Sequence, residues 1–201
     1  MCCFSKSERI KMAEWDETRR IMVQYLILAS SLLLLFPAGV LCAGSPEDQA
    51  NKKTVYRIYS QLKKESPSVP EISVNDAIRL FKKGKAVFVD LRTSEEMEVS
   101  ALPGAISKEE YLRDPSRFDG MTMIAYCTIS YRSGIFVKEM TEKGTSFYNL
   151  AGGILAWVHE GGKIFDAHGE TKRIHVYGEK WNYPPAGYEA VKFGFIEKFF
   201  R

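Results

Sequence analysis

Cys127 opens a six-residue run, Cys127-Thr128-Ile129-Ser130-Tyr131-Arg132, set between an apolar stretch from Met121 to Tyr126 and a helical pattern that begins near Ser133. A loop that closes around a cysteine at the start of a helix turns backbone N–H groups and the positive end of the helix dipole toward the sulfur, and Arg132 adds a cation. Such surroundings favour anionic sulfur and the binding of an anion beside it. A thiolate is a nucleophile at neutral pH, which an ordinary buried cysteine is not. Cys127 and Arg132 are therefore the candidate catalytic residues. Thr128, Ile129, Ser130 and Tyr131, with Ser133 on the following helical turn, are the candidate substrate binders, through loop N–H groups and the hydroxyls of Thr128 and Ser130. The plainer alternative makes Cys127 a small core residue at a strand end.

The elements that must hold this loop are readable from periodicity. Ala86–Leu91 and Met121–Tyr126 are continuous apolar runs that suit parallel strands covered on both faces. Ser73–Gly84 reads as a helix with Ser73 as N-cap, Asp76 three residues on and a terminal glycine. Thr93–Val99, Ser133–Lys143 and Gly152–Glu160 read as further helices, Ser146–Leu150 as a strand, and 107–119 as an irregular charged stretch. Alternating strand and helix predicts an α/β fold, a central parallel sheet flanked by helices, with ligands at the carboxyl ends of the strands where Cys127 lies.

Four motifs recur in order: Asp90-Leu91-Arg92, Pro103-Gly104-Ala105, Cys127 to Arg132, and Gly152-Gly153-Ile154-Leu155-Ala156-Trp157. In type, order and spacing this set resembles the rhodanese-like sulfurtransferases across about half of the chain. Two departures stand: Ser130 where the loop usually has glycine, and Ser100-Ala101-Leu102 where Gly-His-Ile often precedes the Pro-Gly-Ala turn. The resemblance implies that Cys127 accepts sulfur from a small sulfur-containing anion such as thiosulfate, becomes a persulfide, and passes the outer sulfur to a thiol or protein acceptor. It also implies that Asp90 and Arg92 form a structural network and that no cofactor is needed. His159, His168 and His175 show no metal-ligand spacing with a cysteine, and neither a dinucleotide fingerprint nor a phosphate-binding loop is present.

Two rivals stay open. Cysteine phosphatases and arsenate-type reductases also combine cysteine, an N–H loop and arginine, but typically with five intervening residues, whereas four separate Cys127 from Arg132. A rhodanese-like fold used only for binding or sensing would need neither side chain, and both are present.

The chain has 201 residues, 45% of them hydrophobic, and a formal charge of +3. That is room for one core with appendages, and too little charge to suggest a nucleic-acid surface. The organisation read from the sequence is a leader over 1–43, an amphipathic helix and linker over 44–70, a rhodanese-like domain over 71–164, and a C-terminal extension over 165–201. Ile21 to Ala43 is apolar and follows Arg19-Arg20, so residues 1–43 read as a cleaved signal peptide or an uncleaved apolar helix that anchors the chain in the membrane. Arg19-Arg20 also partly matches a twin-arginine export signal, and either route puts the domain in a periplasmic or other extracytoplasmic space, secreted or held at the inner membrane. Cys2, Cys3 and Cys42 fall in the leader, leaving Cys127 alone in the exported part. Of the extension, Tyr188–Phe200 has the apolar spacing of a helix, and the whole reads as a hairpin or arm over the domain rather than an active-site lid.

Overall fold

The computed structural model describes residues 45–193. The leader, with Arg19-Arg20, the apolar run over 21–43 and three of the four cysteines, lies outside the described residues, as does 194–201.

Helix α1 (Pro46–Glu65) starts on a complete capping box, in which Ser45 and Asp48 satisfy each other's backbone N–H groups. Its apolar stripe packs on the domain: Val55 is fully buried and Tyr59 nearly so. β1 (Glu71–Ile72) leads into α2 (Val74–Lys82), whose N-cap is Ser73 as expected, and β2 (Ala86–Asp90) follows. α3 (Ser94–Val99) carries a second capping box, between Thr93 and Glu96. The stretch after the Pro-Gly-Ala turn is more regular than its sequence suggests. It holds β3 (Ile106–Ser107), α4 (Lys108–Arg113) capped by the Ser107 hydroxyl, and a 3-10 turn over Pro115–Phe118.

β4 (Thr122–Tyr126) ends at the cysteine loop, which feeds α5 (Tyr131–Glu142); β5 (Tyr148–Leu150) and α6 (Gly153–His159) complete the expected alternation. The five strands form one sheet in the order β1-β5-β4-β2-β3, every pairing parallel. Asp90 is in register with Tyr126, so the carboxyl ends of the two central strands are level and Cys127 emerges at that edge.

Alternation along the strands separates two cores. Phe88, Ile124 and Tyr126 face one side with Val55 of α1 and Trp157 of α6; Val89, Met123 and Ala125 face the other with Phe136 and Val137 of α5. Each such large side chain removed from water contributes roughly 1.5–3 kcal/mol. Helices thus cover both faces, as continuous apolar strands require.

Beyond α6 the extension builds structure of its own. β6 (Ile164–Asp166) and β7 (Gly169–Thr171) form an antiparallel hairpin. β8 (Arg173–His175) pairs in parallel with β9 (Glu189–Val191), with a 3-10 turn over Glu179–Trp181 between them. The helix read over Tyr188–Phe200 is corrected here: residues 189–191 are a strand because β8 offers its backbone as a partner, and the remainder of that span lies largely outside the described residues. Ile174 and Val176 are fully buried in the same core as Val55 and Trp157, so the extension is part of the packed domain. Two ties join it to α1, from Asn51 Nδ2 to the Pro184 carbonyl (3.2 Å) and from the Ala186 N–H to the Asp48 carboxylate.

Candidate active site

The cysteine loop is held by its carbonyls. Those of Cys127 and Thr128 accept from the N–H groups of Ile154 (2.9 Å) and Leu155 (3.3 Å), while Ser130 O accepts from Gly134 N–H (3.0 Å) and from Asn149 Nδ2 (3.1 Å). No acceptor among the described residues takes the N–H groups of Thr128 through Arg132. With its carbonyls engaged behind it, the loop presents donors, the arrangement that favours an anion. The close approach of α6 depends on Gly153, where an added Cβ would lie 2.4 Å from the Cys127 carbonyl oxygen.

Ser130 has φ 77° and ψ 5° and is the one non-glycine residue with positive φ among those described. This is the backbone angle that glycine adopts freely, so the departure noted in the sequence falls on a left-handed position. The Ser130 hydroxyl does not serve as a substrate donor as the sequence reading allowed. It donates to Leu150 O at 2.5 Å and ties the loop to the end of β5. Ser133 is fully buried; its hydroxyl lies 2.7 Å from Asn149 Oδ1 and 3.6 Å from Cys127 Sγ, so it reaches the sulfur rather than open space. The Thr128 hydroxyl is buried with no partner among the described residues, and Thr128 faces the same cleft as Cys127.

Arg132 is fixed by a carboxylate. Its Nη1 and Nη2 donate to Glu96 Oε2 and Oε1 at 2.6 and 2.9 Å, a two-pronged pairing that an ammonium could not copy. Glu96 also meets His175, whose Nδ1 lies 2.9 Å from Oε1, although neither ring nitrogen has a well-aligned hydrogen-bond partner among the described residues. Burial pushes the Glu96 carboxyl up, but His175, Arg132 and the Thr93 N–H outweigh it and hold the group well below the usual carboxylate range. On Arg132 burial pulls downward, and the Glu96 pairing more than offsets it.

Behind the loop, Asp90 and Arg92 form a fully buried ion pair, with Arg92 Nη2 at 2.7 Å from Asp90 Oδ2 and 2.6 Å from Ser100 O, its guanidinium over the Tyr126 ring. This is the structural network expected of those two residues. It braces the strand end that carries Cys127 and has no opening to the cleft.

Cys127, only 2% exposed, lines the floor of a cleft of about 870 Å³. One side is made by Thr93, Glu95 and Glu96 at the start of α3, and the other by His175, by residues 177–181 and by Phe193 of the extension. The extension is therefore a wall of the site and not simply an arm across the domain. Glu96 and His175 are among the site residues that sequence reasoning missed. The pattern Thr93-x-x-Glu96 is a capping-box signal that could have placed Glu96 at a helix start, and nothing local points to His175.

The site is thus a parallel α/β sheet with an N–H-lined cysteine loop at its carboxyl edge. Residues 73–160 match the family model of the Rhodanese-like domain. Among solved structures, a thiosulfate sulfurtransferase from Pseudomonas aeruginosa aligns over 57% of this chain and 23% of its own, at 19% identity and a TM-score of 0.47. A protein from Bacillus halodurans aligns over 58% of this chain and 88% of its own, at 23% identity and a TM-score of 0.42. A Rhodopseudomonas palustris protein described as a possible tyrosine phosphatase aligns over 56% and 92%, at 25% identity and a TM-score of 0.43. Comparison with curated proteins finds no match.

Proposed function

We propose that the protein is a sulfurtransferase in which Cys127 carries sulfane sulfur as a persulfide. The observation that carries this reading is the lone described cysteine on the floor of a cleft, ringed by loop N–H groups with no protein acceptor and by the unpartnered Thr128 hydroxyl. In the first half-reaction the Cys127 thiolate attacks the outer sulfur of a donor such as thiosulfate. A bond forms between Cys127 Sγ and that sulfur, the donor's S–S bond breaks, and sulfite leaves with the electron pair. In the second, an acceptor thiolate attacks the outer sulfur and Cys127 leaves as thiolate. Both steps concentrate negative charge at the loop, where preorganised N–H donors are most effective. The four residues between Cys127 and Arg132 favour this chemistry over phosphate ester cleavage.

Mass spectrometry of the intact protein after exposure to sulfane donors tests the reading: one sulfur atom should add at Cys127 and leave again on adding an acceptor thiol. Cys127→Ser should take up none while melting within a few degrees of the parent, since a serine hydroxyl is a far poorer nucleophile. Uptake by that variant would move the chemistry elsewhere. We further propose that the domain works outside the cytoplasm, from the Arg19-Arg20 flank and the apolar run to Ala43. A reporter fused after Arg201 that is active only in the cytoplasm would exclude it.

A further inference from the structure

We propose that the sulfur donor preferred by this site is an organic sulfane compound with an apolar body of about aromatic-ring size, which lies against the wall supplied by the C-terminal extension. The proposal rests on the sulfurtransferase reading and names the substrate class for it.

Size is the first argument. A cleft of about 870 Å³ is in the range of sites for organic ligands, roughly 300–1,000 Å³, and an inorganic anion of a few heavy atoms would fill a small part of it. The lining is the second. Ile129 and Tyr131 on the loop side face Tyr177, Trp181 and Phe193 on the extension side. Tyr131 and Tyr177 remain 54% and 52% exposed, large apolar surfaces at the rim of a reactive site. Trp181 packs against the core beneath, so the wall is backed rather than loose.

Charge is the third argument, and it weighs against a dianion. Glu95, Glu96 and Glu179 line the cleft against Arg132 and Lys180, together with His175. The two terminal nitrogens of Arg132 are committed to Glu96. Loop N–H groups can still stabilise one developing charge at the sulfur, but the cleft as a whole offers no surplus of cations to a doubly charged donor. The chemistry needs nothing more than this chain supplies. With an organic thiosulfonate, Cys127 Sγ bonds to the terminal sulfur, the sulfur–sulfonyl bond breaks, and the sulfinate leaves with the electron pair.

Benzenethiosulfonate, methanethiosulfonate and thiosulfate test it, each transfer rate being normalised to the same donor's reaction with a free thiol. The first two share charge and leaving-group type and differ in the body. We expect kcat/KM for the benzene donor to exceed that for the methyl donor by about tenfold or more, since even one methylene in an apolar pocket is worth about that factor. Thiosulfate should be the poorest of the three. Tyr177→Ala and Trp181→Ala should each pull the benzene-to-methyl ratio toward one; Tyr177 stands at the rim, so its variant keeps the test valid if loss of Trp181 disturbs folding. A ratio near one in the parent, a preference for thiosulfate, or a ratio unchanged in both variants overturns the proposal while leaving sulfur transfer intact. Failure of all three donors to load Cys127 overturns both.

Discussion

Helices α5 and α6 begin in the same way and for different reasons. Their N-caps, Ser130 and Gly152, have nearly identical backbone angles, φ 77° and 75° with ψ 5° in both, and neither uses a side chain to cap its helix. At 152 the side chain is excluded by packing as well as by angle, for a Cβ there would lie 2.5 Å from the Ala156 Cβ. At 130 there is room, and the serine uses it to reach Leu150 O. The same left-handed turn is thus enforced by crowding in one place and secured by a hydrogen bond in the other. A missing glycine in the loop is therefore a substitution of one means of holding the turn for another. Glycine is indispensable one helix further on, where α6 presses against the loop from behind.

The largest effect should come from Gly153→Ala, which puts a methyl group against the rigid backbone of Cys127 and Thr128 at a residue with φ 61°. We expect a loss of more than about 4 kcal/mol in urea denaturation and loss of persulfide uptake; a well-folded, active variant would mean that the two helix starts do not differ as described. An intermediate effect belongs to Glu96→Gln, which loosens the pairing that fixes Arg132 on the first turn of α5. Arg132 keeps about a third of its side-chain surface in water (31%), so the expected loss at neutral pH is about 2 kcal/mol and not more. Because the folded Glu96 carboxyl lies below its ordinary value of 4.5, the unfolded chain binds more protons and stability rises with pH. The difference between parent and variant should be complete above pH 4.5 and shrink as the pH falls below it, which a denaturation series across that range will show.

The smallest and sharpest effect separates two changes at 130. Ser130→Ala keeps a side chain at a left-handed angle and loses the bond to Leu150 O, for an expected cost of about 1–3 kcal/mol. Ser130→Gly loses the same bond but relieves backbone strain of about 1–2 kcal/mol, so it should end nearer the parent. Equal losses would show that the angle carries no strain and that the bond is the whole story.

The sheet, the loop and the order of helices were legible because each rests on local pattern: apolar runs, serine caps, glycine stops and the Cys127 to Arg132 spacing. Ser130 was legible as a place where glycine is easier, but the direction of its hydroxyl was not, since Leu150 is brought in by β5 from 20 residues away. α4 was passed over although Ser107 and Glu110 carry a capping signature, because the charged residues around them hide a short helix. β9 was misread because a strand held by a distant partner leaves no period of its own, while Val191, Phe195 and Phe199 do have helical spacing. His175 could not be found at all: its meaning comes from Glu96, which belongs to a different element and is joined to it only by the fold.

The tie between Asn51 and Pro184 joins residues 133 apart in sequence, and it has a consequence for how the protein comes into being. At roughly 5–20 residues per second of synthesis, the first helix waits on the order of ten seconds or more for the residues that clasp it. Within that interval, from the addition of Cys127 until that of His175, the nascent chain possesses its reactive cysteine while the histidine that meets Glu96 and the aromatic wall beyond it have yet to be made. The nucleophile is born before its specificity.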